Sequence, residues 1–334
     1  MVSRPVDNLL GYLSRPDKIG RHFVENIVYE NPCMKRVSAG AYGVTFSLGT
    51  SFDGTNCREV VLVKILKDAE ELTDEEFAAL EEEARVQSAI YKFLQTNDNS
   101  GRTVNARILV PAPLKQQDEF FFMEFVPNSH TLLSSITSIS PVAFRSIIYQ
   151  IACFFALCEE LEPDFRHTDM HLSNILISKR DPVVMELYGV QLRSIFAAII
   201  DFGLATVNPK YPVDIVLLLL IMVFDGGALV NSPSQQAKLA EYANDIWRVV
   251  LRPLFAPYVE DPRLKENSQV TNLFLVINYL EGFRTSETFV ANLQRVCIRE
   301  GWVLPDFDIE SAPHEEKKTI KITSRQVVEL IKTW

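Results

Sequence analysis

The chain has 334 residues, 47% of them hydrophobic and 23% charged, with a formal net charge of −10. That length allows two domains or one large bilobal one, and that apolar share sustains a sizeable core, which excludes a disordered, collagen-like or coiled-coil protein. The acidic balance, with no Lys/Arg-rich run, argues against direct nucleic-acid binding. The longest apolar stretch, Ile215–Phe224, is about half of a bilayer span, so it is expected to be a buried helix, with no membrane partner. No apolar core of signal-peptide length opens the chain, and Val2 excludes N-myristoylation. Five cysteines (Cys33, Cys57, Cys153, Cys158 and Cys297) are odd in number and form no CxxC pair. They read as reduced thiols of an intracellular protein, cytoplasmic or nuclear.

In chain order, residues 1–34 form a proline-containing lead-in. KRVSAG, GVTFSL and REVVLVKILK then read as antiparallel strands, the last two joined through a turn at Asp53-Gly54. Thr73 and Glu76 form a capping box, and Phe77, Leu80, Ala84, Tyr91 and Leu94 follow at helical spacing until TNDNSGRT. RILVPAPL and EFFFMEFV read as two more strands, the second central in its sheet. VPNSHT is a hinge, after which helices dominate: Phe144–Leu161, Ile215–Phe224, Gln235–Leu254 and Thr271–Phe283. An acidic loop and a short terminal helix, SRQVVELIKTW, close the chain. The expected division is an extension over 1–34, a β-rich part over 35–126, an α-rich part over 127–305 and a tail over 306–334.

Four short motifs occur in one order. Ser38-Ala-Gly40-Ala41-Tyr42-Gly43 is a glycine loop between two strands, either an ordinary hairpin turn or a cradle for phosphates. Lys64, inside an apolar strand, either snorkels to the surface or meets an anion. Glu83 borders the apolar face of the capped helix while Glu81 and Glu82 point elsewhere, although a Glu-Glu-Glu run is also what a solvated face looks like. The fourth motif decides between these readings: His167-Thr-Asp169-Met-His171-Leu-Ser-Asn174, followed by Asp201-Phe202-Gly203. Asp169, Asn174 and Asp201 offer hard oxygen ligands for Mg²⁺ and a carboxylate able to take a hydroxyl proton. HxDxxxxN and DFG together, in order and behind a glycine loop and a strand lysine, are expected by chance in well under ~1% of chains.

The set resembles the protein-kinase superfamily over roughly residues 35–225. The resemblance implies an α+β, bilobal fold and ATP-dependent phosphorylation of Ser or Thr hydroxyls on a protein substrate, with ATP and Mg²⁺ as cofactors. By that likeness Lys64 holds the nucleotide phosphates and pairs with Glu83. Ser38, Gly40, Ala41, Tyr42 and Gly43 cover the phosphates. Met123, Glu124 and Val126 line the adenine side, Asn174 and Asp201 bind metal, and Asp169 orients the acceptor hydroxyl. His167 braces the DFG region. The acidic surface favours basic substrates through steering.

The chain also departs from the family. Ser38 replaces a glycine, and Thr168 replaces the arginine that commonly pairs with a phosphorylated activation loop. His171 stands where a lysine faces the γ-phosphate. The stretch from Asn174 to Asp201 is about twice the usual length, so MELYGVQLRSIFAAII is expected to add a hairpin. The path from Asp201 to Asp214 is short and lacks Ala-Pro-Glu. These features resemble haspin-like kinases, including divergent versions of large DNA viruses. They also resemble aminoglycoside- and choline-type phosphotransferases, which leaves a small-molecule kinase, or a non-catalytic binding module, as alternatives.

Overall fold

Alternation along Arg58–Leu66 (β3) sets the first layer of structure: Val61, Val63 and Ile65 face one side of a sheet, while Leu62, Lys64 and Leu66 face the other. The structure, a computed structural model, describes residues 12–13, 20–39, 43–50, 57–66, 73–98, 109–188, 190–211, 213–224, 230, 232–255 and 285–299. The expected Asp53-Gly54 turn, loop residues Gly40, Ala41 and Tyr42, the helix over 271–283, Cys297's pairing and the tail over 306–334 lie outside what it describes. The chain is α+β and divides into two units: one takes residues up to 92 together with 110–128 and 201–203, and the other takes the rest.

In the first unit, Lys35–Ala39 (β1), Gly43–Thr50 (β2), β3, Pro113–Gln117 (β4) and Phe120–Glu124 (β5) form an antiparallel sheet ordered β1-β2-β3-β5-β4. Lys64 lies opposite Thr45 on one side and Phe121 on the other. The nearly all-apolar β5 is internal, as its composition predicts. Both faces of the sheet are covered. Helix α1 (Arg21–Tyr29), part of the lead-in, places Val24, Ile27 and Val28 against Leu48, Val61, Val63, Ile65, Phe120 and Phe122. Helix α2 (Asp74–Asp98) places Leu80 and Ala84 against Leu62, Leu66, Phe121 and Met123. Fully burying each of these Val, Leu, Ile, Phe and Met side chains contributes about 1.5–3 kcal/mol. The capping box forms as expected: Glu76 N–H donates to Thr73 Oγ1 at 3.3 Å, and Thr73 N–H to Glu76 Oε2 at 2.9 Å.

Two expectations are corrected here. RILVPAPL is not a strand throughout; the ladder starts only at Pro113, because proline has no N–H to donate and Pro111 and Pro113 confine pairing to this edge. The cysteines are not all free thiols, since Cys33, after α1, and Cys57, at the entry to β3, have Cα atoms 5.5 Å apart and form a disulfide. The cysteine pattern therefore gives no support to a reducing compartment.

In the second unit, Leu132–Ser135 forms the short helix α3, and Ser140 caps helix α4 (Pro141–Leu161) by accepting the Ala143 N–H at 3.1 Å, with Pro141 in the first turn where its missing N–H costs nothing. This helix is long and apolar enough to cross a membrane, yet 83% of its apolar window is buried inside the protein. The wholly buried Gln150 ties it to a neighbouring strand, accepting from Ala197 N–H and donating to the Ile195 carbonyl. That strand belongs to the predicted added hairpin, Ile175–Leu187 (β8) and Val190–Ile199 (β9), which turns at Tyr188 and pairs with Ser129–Thr131 (β6). Asp214–Phe224 (α5) is the buried helix expected from its composition. Pro233–Ile246 (α6) runs through a π-helical turn, Trp247–Leu251, into Arg252–Phe255 (α7), and Ser286–Arg299 (α8) is a further helix.

Candidate functional site

The sequence-predicted residues form two clusters, one in each unit. In the first, Lys64 on β3 faces α2 because it shares the parity of Leu62 and Leu66, and Glu83 faces it from one turn beyond Leu80. The Lys64 ammonium lies 2.9 and 2.7 Å from the two carboxylate oxygens of Glu83 and 2.8 Å from Asp201 Oδ1. The Glu83 side chain is 4% exposed, that of Lys64 17% and that of Asp201 45%. So Lys64 meets anions rather than snorkelling, and Glu83 is not part of a solvated face, whereas Glu81 and Glu82 are exposed. Burial alone would lower the lysine's pKa, but the two carboxylates outweigh it and hold Lys64 above its ordinary value, firmly protonated.

Backbone shape brings Asp201 to this cluster. Its φ is +67°, a left-handed conformation in a non-glycine residue that persists only when its surroundings hold it. Two positions on, a Cβ at Gly203 would stand 3.2 Å from Glu83 Oε2, so the glycine lets the chain pass beside the ion cluster. A Cβ at Gly43 would stand 2.9 Å from the Ile65 carbonyl oxygen, so this motif glycine has a steric role against β3 whatever the loop before it binds. Ser38 sits near the end of β1 and is exposed. Met123 is buried against α2, Val126 is buried, and Glu124 ends β5, its N–H donating to the Ala112 carbonyl at 2.8 Å.

The second cluster follows Phe165–Arg166 (β7). Here the chain turns through Thr168, with φ +63°, and both backbone N–H groups of the turn are taken by one buried carboxylate: Asp214 accepts from His167 at 2.7 Å and Thr168 at 3.0 Å. Burial pushes the Asp214 carboxyl up to about 6, against the two N–H donors and Arg166, which favour its charged form. The Thr168 hydroxyl donates to the Leu204 carbonyl at 2.6 Å. His167 Nε2 lies 3.0 Å from the Ile200 carbonyl; since a carbonyl only accepts, Nε2 carries the proton. That contact braces the strand end just before Asp201.

Asp169 is held from both sides. Asn174 Nδ2 donates to its backbone carbonyl at 3.0 Å and to its Oδ2 at 3.3 Å, and His171 Nε2 stands 3.7 Å from that same oxygen. His171 Nδ1 accepts from Ser173 N–H at 3.2 Å, which leaves the neutral ring's proton on Nε2, the atom facing Asp169. With Asn174 Nδ2 committed, its Oδ1 is the atom left for a cation. Among the described residues no group of three or more His, Cys, Asp or Glu side chains converges as a metal cage. Mg²⁺ does not require one, since it commonly binds one or two protein oxygens together with phosphates and water.

Sequence reasoning missed the supports behind these clusters. Arg166, 2% exposed, pairs with Glu159 of α4 and donates through Nε to the Tyr211 carbonyl, and Glu159 in turn accepts the Ser286 N–H that starts α8. Charged residues beside apolar runs were the available hint. Gln87, 1% exposed on α2, donates to the Pro111 carbonyl at 2.8 Å. The chain matches no known family profile, and no characterised protein is significantly similar to it.

Proposed function

We propose that the chain is a phosphotransferase of protein-kinase-like, bilobal build that moves the γ-phosphoryl group of ATP to a Ser or Thr hydroxyl of a protein. The observation that carries this reading is the Lys64 ammonium, which lies between the carboxylates of Glu83 and Asp201, 19 and 137 positions away. Such a fixed, protonated lysine suits nucleotide phosphates, for phosphoryl transfer needs positioning and charge neutralisation more than covalent chemistry. Bound Mg²⁺ would neutralise phosphate charge: Asp201, with its half-exposed carboxylate, would hold one ion, and Asn174, through Oδ1, a second. Asp169, braced by Asn174, accepts the proton of the attacking hydroxyl. His171 offers its Nε2–H at the same place, where the family uses a lysine. The glycine loop from Ser38 to Gly43 covers the phosphates, and Met123, Glu124 and Val126 line the adenine side.

The test is transfer of label from γ-labelled ATP with Mg²⁺ to a panel of basic proteins, with Asp169→Asn as the control. Label on Ser or Thr that disappears in the variant supports the reading. The short path from Asp201 to Asp214 favours a second reading, a small-molecule phosphotransferase, and label found only on aminoglycosides or choline would select it. No transfer to any acceptor would leave a nucleotide-binding scaffold.

A further inference from the structure

Packing and a directional hydrogen bond both fix the helix that carries Glu83 to its sheet. Leu80 and Ala84 pack on β3 and β5, a contact that a helix can keep while rolling or sliding by a fraction of an ångström. Gln87, one turn after Glu83, supplies a directional contact. Its Nε2 donates to the Pro111 carbonyl at 2.8 Å, and the side chain is 1% exposed, so no water competes for the bond. The Pro111 segment is itself fixed: the next residue, Ala112, accepts the Glu124 N–H at 2.8 Å, a backbone bond just ahead of the β4–β5 ladder. Residues one helical turn apart share a face, so the bond that sets Gln87 also sets where Glu83 points.

We propose that Gln87 is a positioning residue: its bond to Pro111 fixes α2 so that the Glu83 carboxylate stays on the Lys64 ammonium, and it joins that ion pair to the end of β5 through Ala112 and Glu124. The inference rests on the phosphotransfer reading only for its effect on turnover; the clamp on the Lys64–Glu83 pair stands apart from it.

The test uses Gln87→Met, which keeps length and loses the donor, in a double-mutant cycle with Glu83→Gln. If Gln87 acts through Glu83, Gln87→Met lowers kcat/KM for ATP about 10-fold alone but less than about 2-fold in the Glu83→Gln background. Equal losses in both backgrounds overturn the proposal, since a merely structural role is additive. A readout independent of turnover is the rate at which an amine-acylating reagent modifies Lys64, mapped by mass spectrometry. It should rise several-fold in Gln87→Met, and an unchanged rate overturns the clamp even if the wild-type chain transfers phosphate. A wild-type chain inert with ATP but with Lys64 exposed by Gln87→Met sinks the phosphotransfer reading and leaves the clamp standing. Should the variant not fold, the wild-type Gln87 side-chain amide decides by NMR. Protons exchanging far more slowly than those of surface glutamines support the bond, and equal rates remove it.

Discussion

The Asp214 carboxylate accepts the backbone N–H of His167 at 2.7 Å, across 47 positions of sequence. The bond fixes the turn in front of Asp169 from beneath and places a carboxyl group 2% exposed at the start of a wholly apolar helix.

That placement has a consequence for stability against pH. Asp214 titrates near 3.8 ordinarily and is pushed up to about 6 in the folded chain, chiefly by burial. The folded state therefore binds this proton more tightly than the unfolded state, and stability falls as pH rises through the window from about 4 to about 6. Two units correspond to about 3 kcal/mol at most. Asp214→Asn cannot titrate. Urea denaturation should show wild-type stability declining relative to the variant by up to that amount between pH 4 and 7. A difference that grows with pH would refute the assignment.

Removing Lys64 tests the ion cluster in two ways. Lys64→Met leaves the 4%-exposed Glu83 with no ammonium facing it, and breaking a buried pair from one side costs about 3 kcal/mol. Adding Glu83→Gln should recover much of the lost stability, because the orphaned charge is gone, while phosphate transfer stays at least about 100-fold below wild type. Thermal denaturation and γ-phosphate transfer read the two effects separately.

Thr168 combines a costly backbone with a useful hydroxyl. Its φ of +63° disfavours any residue with a Cβ, and its Oγ1 holds the Leu204 carbonyl. Thr168→Ala and Thr168→Gly both lose the hydroxyl bond, but only glycine escapes the left-handed penalty, so the glycine variant should be the more stable by about 1 kcal/mol in chemical denaturation. The reverse order would show that the turn is not held as described.

The Cys33–Cys57 disulfide closes a separation of 24 residues. Loop-closure arguments give such a bridge about 3 kcal/mol, so Cys33→Ser with Cys57→Ser, or reduction, should lower stability by up to that amount. Non-reducing peptide mapping checks the pairing directly.

What was readable from the sequence was what local rules govern. The Thr73 cap, the alternation that puts Lys64 on the α2 side, and the apolar β5 follow from neighbours within a few positions. The added hairpin was legible as well, from an apolar run too long for a simple connection. Contacts set by tertiary closure were not. Nothing near Cys33 announces Cys57, and nothing near Gln87 announces Pro111, because the chain returns to each from a distance that pattern does not encode. Pro111 and Pro113 misled for a local reason: their apolar neighbours resemble a strand, while their missing N–H groups delay the ladder.

Helix α1 carries a practical implication. Because Val24, Ile27 and Val28 wall in one side of the five-stranded sheet, a truncated version beginning at Lys35, where the first strand starts, would strip that side bare. Leu48, Val61, Val63, Ile65, Phe120 and Phe122 would then form a sticky plane on the surface, a recipe for insoluble expression rather than a minimal folded fragment.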